Sequence, residues 1–145
     1  MYAFPKKYGE ALTISPVVVA NGIEARLIQA EAALRRKDFT EWSQQLNKPR
    51  ILYAPELGLL TDPRDSVERI NRTFQERAAW LFFTGHRLGD LRRLIREYGR
   101  SQNQVFPIGP IVPASKIRFG NDISIPVPLQ ERSNPLFSGC FKERT

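Results

Sequence analysis

The side chains with chemical potential in this sequence are mostly carboxylates and guanidiniums. Glu76, Arg87, Asp90, Arg92 and Arg93 fall close together. Such a set either binds an acidic or hydroxylated ligand or locks two helices through bidentate, charge-assisted hydrogen bonds. Arg87 and Asp90 stand three apart, on one face of a helix, and a break at Thr84-Gly85 folds Glu76 back towards them. The structural ion-pair network is the preferred reading, because one such pair orients two helices without any ligand.

The rest of the inventory argues against catalysis. The chain has one histidine, His86, and one cysteine, Cys140. That is too few for a zinc site of Cys and His alone, and it rules out an internal disulfide. His86 opens a helix, where the dipole disfavours its cation, and reads as a packing or hydrogen-bonding residue. Cys140 lies in a different segment from the only histidine, so no nucleophile–base pair can be assembled. No catalytic residue, metal ligand or cofactor is expected, and the chain is not expected to be an enzyme. Among the aromatics, Trp42 and Trp80 belong to or adjoin apolar helical stripes and read as core. Tyr53 and Phe119 fall in expected loops and are the candidates for ligand contact, since the C–H face of a sugar lies well on an aromatic plane.

Proline sets the frame that positions these groups. Residues 64–106 contain none, while 107–145 contain six; proline inside a helix costs about 3 kcal/mol, so the middle should hold the longest helices. Four helices are expected over residues 21–99. The first is capped by Asn21, with Glu24 three residues on and Ile23, Leu27, Ala30 and Leu34 on one face. The second is capped by Asp38, buries Phe39, Trp42 and Leu46, and ends at Pro49; the short link makes the pair an antiparallel hairpin. After a loop over 50–61, the third starts at Asp62-Pro63 and runs to about Phe83, with Val67, Ile70, Phe74, Ala78 and Leu81 inward. The fourth is capped by Thr84, carries Leu88, Leu91, Ile95 and Tyr98 on its apolar face, and stops at Gly99. Residues 100–145 form an extended, proline-rich tail in which 105–108 and 123–128 are extended segments suited only to edge strands. The fold class is all-α.

Composition is that of an ordinary globular chain: 145 residues, 41% hydrophobic and 26% charged. No apolar run reaches the roughly 18 residues of a membrane span, and no export signal is visible at the N-terminus. The net charge is +7, which permits polyanion binding without establishing it. Arg87, Arg92, Arg93, Arg96 and Arg100 support a rival reading, a basic helical protein that binds nucleic acid. Against it, Asp90 and Glu97 interrupt the stripe and no aromatic platform is interleaved with it.

Three stretches together resemble the C-terminal portion of the SusD/RagB family. Glu24-Ala25-Arg26-Leu27-Ile28-Gln29-Ala30-Glu31-Ala32-Ala33-Leu34, followed by Leu46-Asn47-Lys48-Pro49-Arg50, is similar to the family's "RLIxAEALL" helix and "LNxxR" run. Glu76-Arg77 with Gly85-His86-Arg87-Leu88-Gly89-Asp90-Leu91-Arg92-Arg93 resembles its "ERxxELxxEGHRxxDLRR" signature. Ile125-Pro126-Val127-Pro128, Glu131 and Asn134-Pro135 resemble its closing "xPIPxxExxxNP". Order and spacing agree over residues 24–135; Ala79-Trp80 and Thr84 depart from the pattern. The resemblance implies tetratricopeptide-like helical hairpins with long loops in a non-catalytic, lipid-anchored outer-membrane protein. Such a protein captures oligosaccharides or other nutrients for a TonB-dependent, SusC-like transporter. It also implies that residues 1–145 form one C-terminal segment of a longer domain, whose lipid-bearing cysteine belongs to an N-terminal region.

Overall fold

Asn21 turns the chain into its first helix: in extended conformation, its Oδ1 accepts the Glu24 backbone N–H at 2.8 Å. The computed structural model describes residues 18–113, 116–120, 123 and 127–138; Cys140 and the Ile125-Pro126 pair lie outside them. Among the described residues the protein is helical, and its only extended pairing is an isolated antiparallel bridge between Pro110 and Arg118. No helix among them is long and apolar enough to cross a membrane. The chain divides into two compact units, residues 1–90 and 91–145.

In the first unit, α1 (Gly22–Arg36) and α2 (Phe39–Tyr53) are joined by two residues. Lys37 adopts the left-handed conformation (φ 62°), which lets its N–H reach Ala33 and Leu34 O and so closes α1. Asp38 then caps α2 by accepting the Glu41 N–H at 3.0 Å. Arg36 meets Glu41 beside the bend, and Arg26 meets Gln45 far from it, so the two helices run antiparallel. Leu27, Ala30, Ala33 and Leu34 of α1 are buried with Trp42 and Leu46 of α2; the two alanines leave room for close approach.

α2 does not stop at Pro49. It continues to Tyr53 with Pro49 buried inside it. Proline removes one helical N–H bond, but Arg50 just beyond it is tied to Glu76 and to the carbonyls of Leu57 and Gly58. These distant anchors outweigh the local penalty. Tyr53 is therefore the last helical residue, and the loop shortens to a 3-10 turn at Pro55–Leu57 and an irregular stretch.

α3 is Ser66–Trp80, later in starting and earlier in ending than the sequence implied. Arg64 has φ 58°, and its N–H donates to Asp62 Oδ1 at 2.9 Å, a local turn that breaks any helix begun at Asp62. Asp65 is the cap, accepting from the Glu68 N–H. At the other end Thr84 does not cap the next helix; its hydroxyl donates to Leu81 O at 2.6 Å and closes α3.

α4 is Arg87–Arg96, and the division between the units falls inside it. In the 91–145 unit Gly99 (φ 66°) stands just beyond this helix, as expected, and Arg100 N–H returns to Leu94 O. Val105 lies in a single helical turn, α5 (Gln102–Val105), rather than an extended segment, because Ser101 and Gln104 form a capping box. A short 3-10 turn, Leu129–Ser133, follows later.

Candidate functional site

The inward face of α3 is polar. Arg69, Thr73, Glu76 and Arg77 are buried at helical spacing, together with Phe74. Of the expected apolar stripe, Phe74 and Leu81 are buried, but Val67 is exposed and Ile70 and Ala78 are half-buried. A buried polar face is stable only if each group finds a partner. Arg69 grips Asp62 through Nε–Oδ1 at 2.7 Å and Nη2–Oδ2 at 2.8 Å, and its guanidinium lies 3.5 Å over the Phe39 ring. Thr73 accepts the indole N–H of Trp42 at 2.8 Å and donates to Arg69 O. Glu76 takes Arg50 in a bidentate pair at 2.7 and 3.1 Å and also accepts the Trp80 indole N–H at 3.0 Å. Arg77 holds Asp90 in a third bidentate pair, with Glu31 beyond at 3.8 Å.

Glu76 and Asp90 are thus both in ion pairs, as the sequence implied, but with Arg50 and Arg77 as partners. Arg87 is exposed and makes no hydrogen bond or ion pair among the described residues. The correction has a plain cause. Arg77 stands on the buried face of α3 opposite Asp90, whereas Arg87 sits on the outer side of the first turn of α4. Arg92 and Arg93 are half-buried and belong to the 91–145 unit.

Two further ties went unread in the sequence. Asn47 clamps the loop after α2, its Nδ2 donating to Leu60 O at 3.0 Å and its Oδ1 accepting Leu60 N–H at 2.7 Å. Glu24 does not fold back on its own cap; its Oε1 meets His86 Nε2 at 2.8 Å, while His86 Nδ1 lies 2.7 Å from Thr84 Oγ1. His86 thus bridges Glu24 and Thr84 through its two ring nitrogens. The partners are 13 and 62 residues apart, so no local pattern marks them. The only signal was the resemblance itself, which contains Asn47, Arg50, Glu76, Arg77, His86 and Asp90.

Electrostatics follow the pairing. The hydrogen bonds from Glu76 raise the Arg50 guanidinium further above its ordinary value, against the opposing effect of burial. Arg69 first, opposed by burial and helped by the Arg64 N–H, holds the Asp62 carboxyl below the usual carboxylate range.

Two concavities among the described residues open on the first unit. One, of about 700 Å³, runs along α2 past Thr40, Ser43, Gln44 and Lys48 to Ile51 and Leu59. The other, of about 420 Å³, lies at the turn between α3 and α4 and is lined by Arg77, Leu81, Phe82, Phe83, His86 and Arg87, among others. Of the two ligand candidates read from the sequence, Tyr53 is 63% exposed at the end of α2 and lines neither concavity. Phe119 is exposed in the 91–145 unit, where its N–H bonds Gly109 O. No cluster of three or more metal-ligating side chains occurs among the described residues.

Fold and site together define an all-α protein with a cross-braced polar core and two ligand-sized concavities. No family model, curated protein or solved structure matches the chain.

Proposed function

We propose that this chain is the C-terminal helical segment of a SusD/RagB-like receptor, a non-catalytic protein that captures oligosaccharides or similar nutrients at the outer membrane for a TonB-dependent transporter. The observation that carries the reading is the convergence of its motif residues. Arg50, Glu31 and Glu24 of the first resembling stretch meet Glu76, Arg77 and His86 of the second, and Arg77 also holds Asp90; Asn47 ties instead to Leu60. A chance likeness scattered over the chain would not be expected to meet in space. On this reading α1 and α2 are a tetratricopeptide-like hairpin, and residues 100–145 are the family's proline-rich tail.

The paired polar residues are then scaffold, and the concavities beside them are the ligand surface. The groove along α2, with its hydroxyl, amide and ammonium groups beside Ile51 and Leu59, has the mixed character that a sugar requires. Arg50, Arg69 and Arg77 are each taken up by a carboxylate; the nucleic-acid alternative rests on other residues, Arg87, Arg92, Arg93, Arg96 and Arg100.

The test is twofold: an oligosaccharide array probed with the tagged full chain, and co-purification of the chain with a TonB-dependent transporter encoded beside it. Saturable binding to a glycan, with the transporter recovered, is the expected result. Absence of both, with binding to random-sequence DNA that falls steeply with salt, would replace this reading with the nucleic-acid one.

A further inference from the structure

The concavity at the α3–α4 turn has features the scaffold does not need. Phe82 and Phe83 are 63% and 61% exposed, with ring centroids 5.6 Å apart and planes tilted by 51°. Phe83 has φ 61°, a left-handed conformation that is costly for an aromatic residue, and Gly85 follows with φ 83°. Strain spent on holding two rings out in water calls for an explanation in function. Beside the rings stands Arg87, exposed and without a partner among the described residues. Deeper, Arg77 is 3% exposed and lines the same concavity, and its Nη1 is buried without a hydrogen-bond partner. A buried guanidinium donor left unmet is costly, and an acceptor supplied from outside would relieve it.

The charge balance fixes the kind of acceptor. Asp90, the carboxylate in the lining, is already held by two donors from Arg77. His86 is engaged by Glu24 and Thr84. What is left to offer a ligand is guanidinium, and the planar guanidinium fork suits a carboxylate. The volume of about 420 Å³ lies in the range of small-ligand sites. Tilted aromatic faces receive a flat C–H surface. Hexuronic acids combine that surface with a carboxylate on the same ring.

We propose that the concavity formed by Arg77, Phe82, Phe83 and Arg87 binds a hexuronic acid unit of an acidic glycan, the sugar ring lying on the two phenylalanines and its carboxylate on Arg87. The inference rests on the glycan-binding function proposed above and names its substrate class. The net charge of +7 favours such a ligand over its neutral counterparts through long-range attraction.

The experiment is calorimetric titration of the full chain with four probes: oligogalacturonate, its methyl ester, a neutral galacto-oligosaccharide and random-sequence single-stranded DNA. Wild type should prefer the free acid to its ester by about tenfold or more, the discrimination expected of a charge-assisted hydrogen bond. Arg87→Ala should remove that preference and leave ester binding unchanged. Phe82→Ala should weaken acid and ester alike. Phe83→Gly removes a ring and the backbone strain together, so it should weaken binding while thermal stability holds or rises, which a purely structural role for Phe83 would not produce. Acid binding that survives Arg87→Ala and Phe82→Ala would overturn the proposal, as would equal binding of acid, ester and neutral sugar; the latter would leave the glycan-binding function standing. Tighter binding to DNA than to any sugar would overturn both.

Discussion

Arg77 on α3 and Asp90 on α4 face each other through two hydrogen bonds, Nε to Oδ2 at 3.0 Å and Nη2 to Oδ1 at 2.9 Å, with Asp90 only 1% exposed. A pair so deeply buried acts more by what its loss would leave behind than by its own attraction. Asp90→Ala strands a guanidinium in the interior and should cost about 3–5 kcal/mol in urea unfolding. Arg87→Ala, three residues earlier on the same helix, should change stability by no more than about 0.5 kcal/mol. Equal losses for the two variants would show that Arg87, not Arg77, is the partner that matters. In a double-mutant cycle, Arg77→Met should recover much of what Asp90→Ala loses, because it removes the uncompensated charge.

Thr73 gives a second, sharper case. Its hydroxyl accepts from the Trp42 indole at 2.8 Å and donates to Arg69 O, and Trp42 and Thr73 are almost wholly buried. Thr73→Val keeps the shape and removes the acceptor, so the indole N–H is left unmet at a cost of about 1–3 kcal/mol. In the Trp42→Phe background the same change should cost little, since no donor remains to be orphaned. Thermal unfolding of the four proteins measures the coupling, and additive losses would exclude it.

The Asp62–Arg69 pair should be visible in the pH dependence of stability. The Asp62 carboxyl is held below the usual carboxylate range, chiefly by its hydrogen bonds from Arg69. A depressed carboxyl contributes stability that is complete above the unfolded-state value, about 3.9, and is lost as pH falls through the folded-state value. Wild type should therefore lose stability to acid more steeply than Asp62→Asn below about pH 4. Because the pair is partly open to solvent, the difference should shrink at high salt. Parallel curves for the two proteins through that range would contradict the pairing.

How far these features were legible depends on how local they are. Asn21 and Asp38 were readable as caps because the donor each accepts is three residues away. Gly99 was readable as a stop because it takes the left-handed conformation that glycine tolerates, although α4 itself ends at Arg96. Pro49 misled because what holds the helix past it, Arg50 on Glu76, joins residues 26 apart. Asp62-Pro63 looked like a helix start, yet Asp65 with Glu68 carried an equally good signature, and the left-handed Arg64 decided between them. The polar interior of α3 was hidden for a deeper reason: apolar periodicity assumes that charge faces water, and here every buried charge on the helix has a matching charge elsewhere in the chain. The composition of the ion-pair set was half legible. Its carboxylates Glu76 and Asp90 were named from spacing, while Arg50 and Arg77 depended on how three helices pack.

Asn47 offers a test of how the stretch after α2 is held. Its amide makes both bonds to one residue, accepting Leu60 N–H at 2.7 Å and donating to Leu60 O at 3.0 Å, as a neighbouring strand would. Leu59, next to this clamp, lines the groove along α2, so the clamp also shapes a concavity. Asn47→Ala removes both bonds, each contributing about 1 kcal/mol, and should open the segment locally before the helices unfold. Asn47→Asp keeps the acceptor for Leu60 N–H but sets a second acceptor against Leu60 O, so it should loosen the segment as well. Amide exchange at Leu60 should accelerate in both variants, and proteolytic nicking within residues 54–61 should appear while α1 and α3 stay protected. Unchanged exchange at Leu60 in Asn47→Ala would mean that the bonds from Arg50 to the Leu57 and Gly58 carbonyls hold the loop without it.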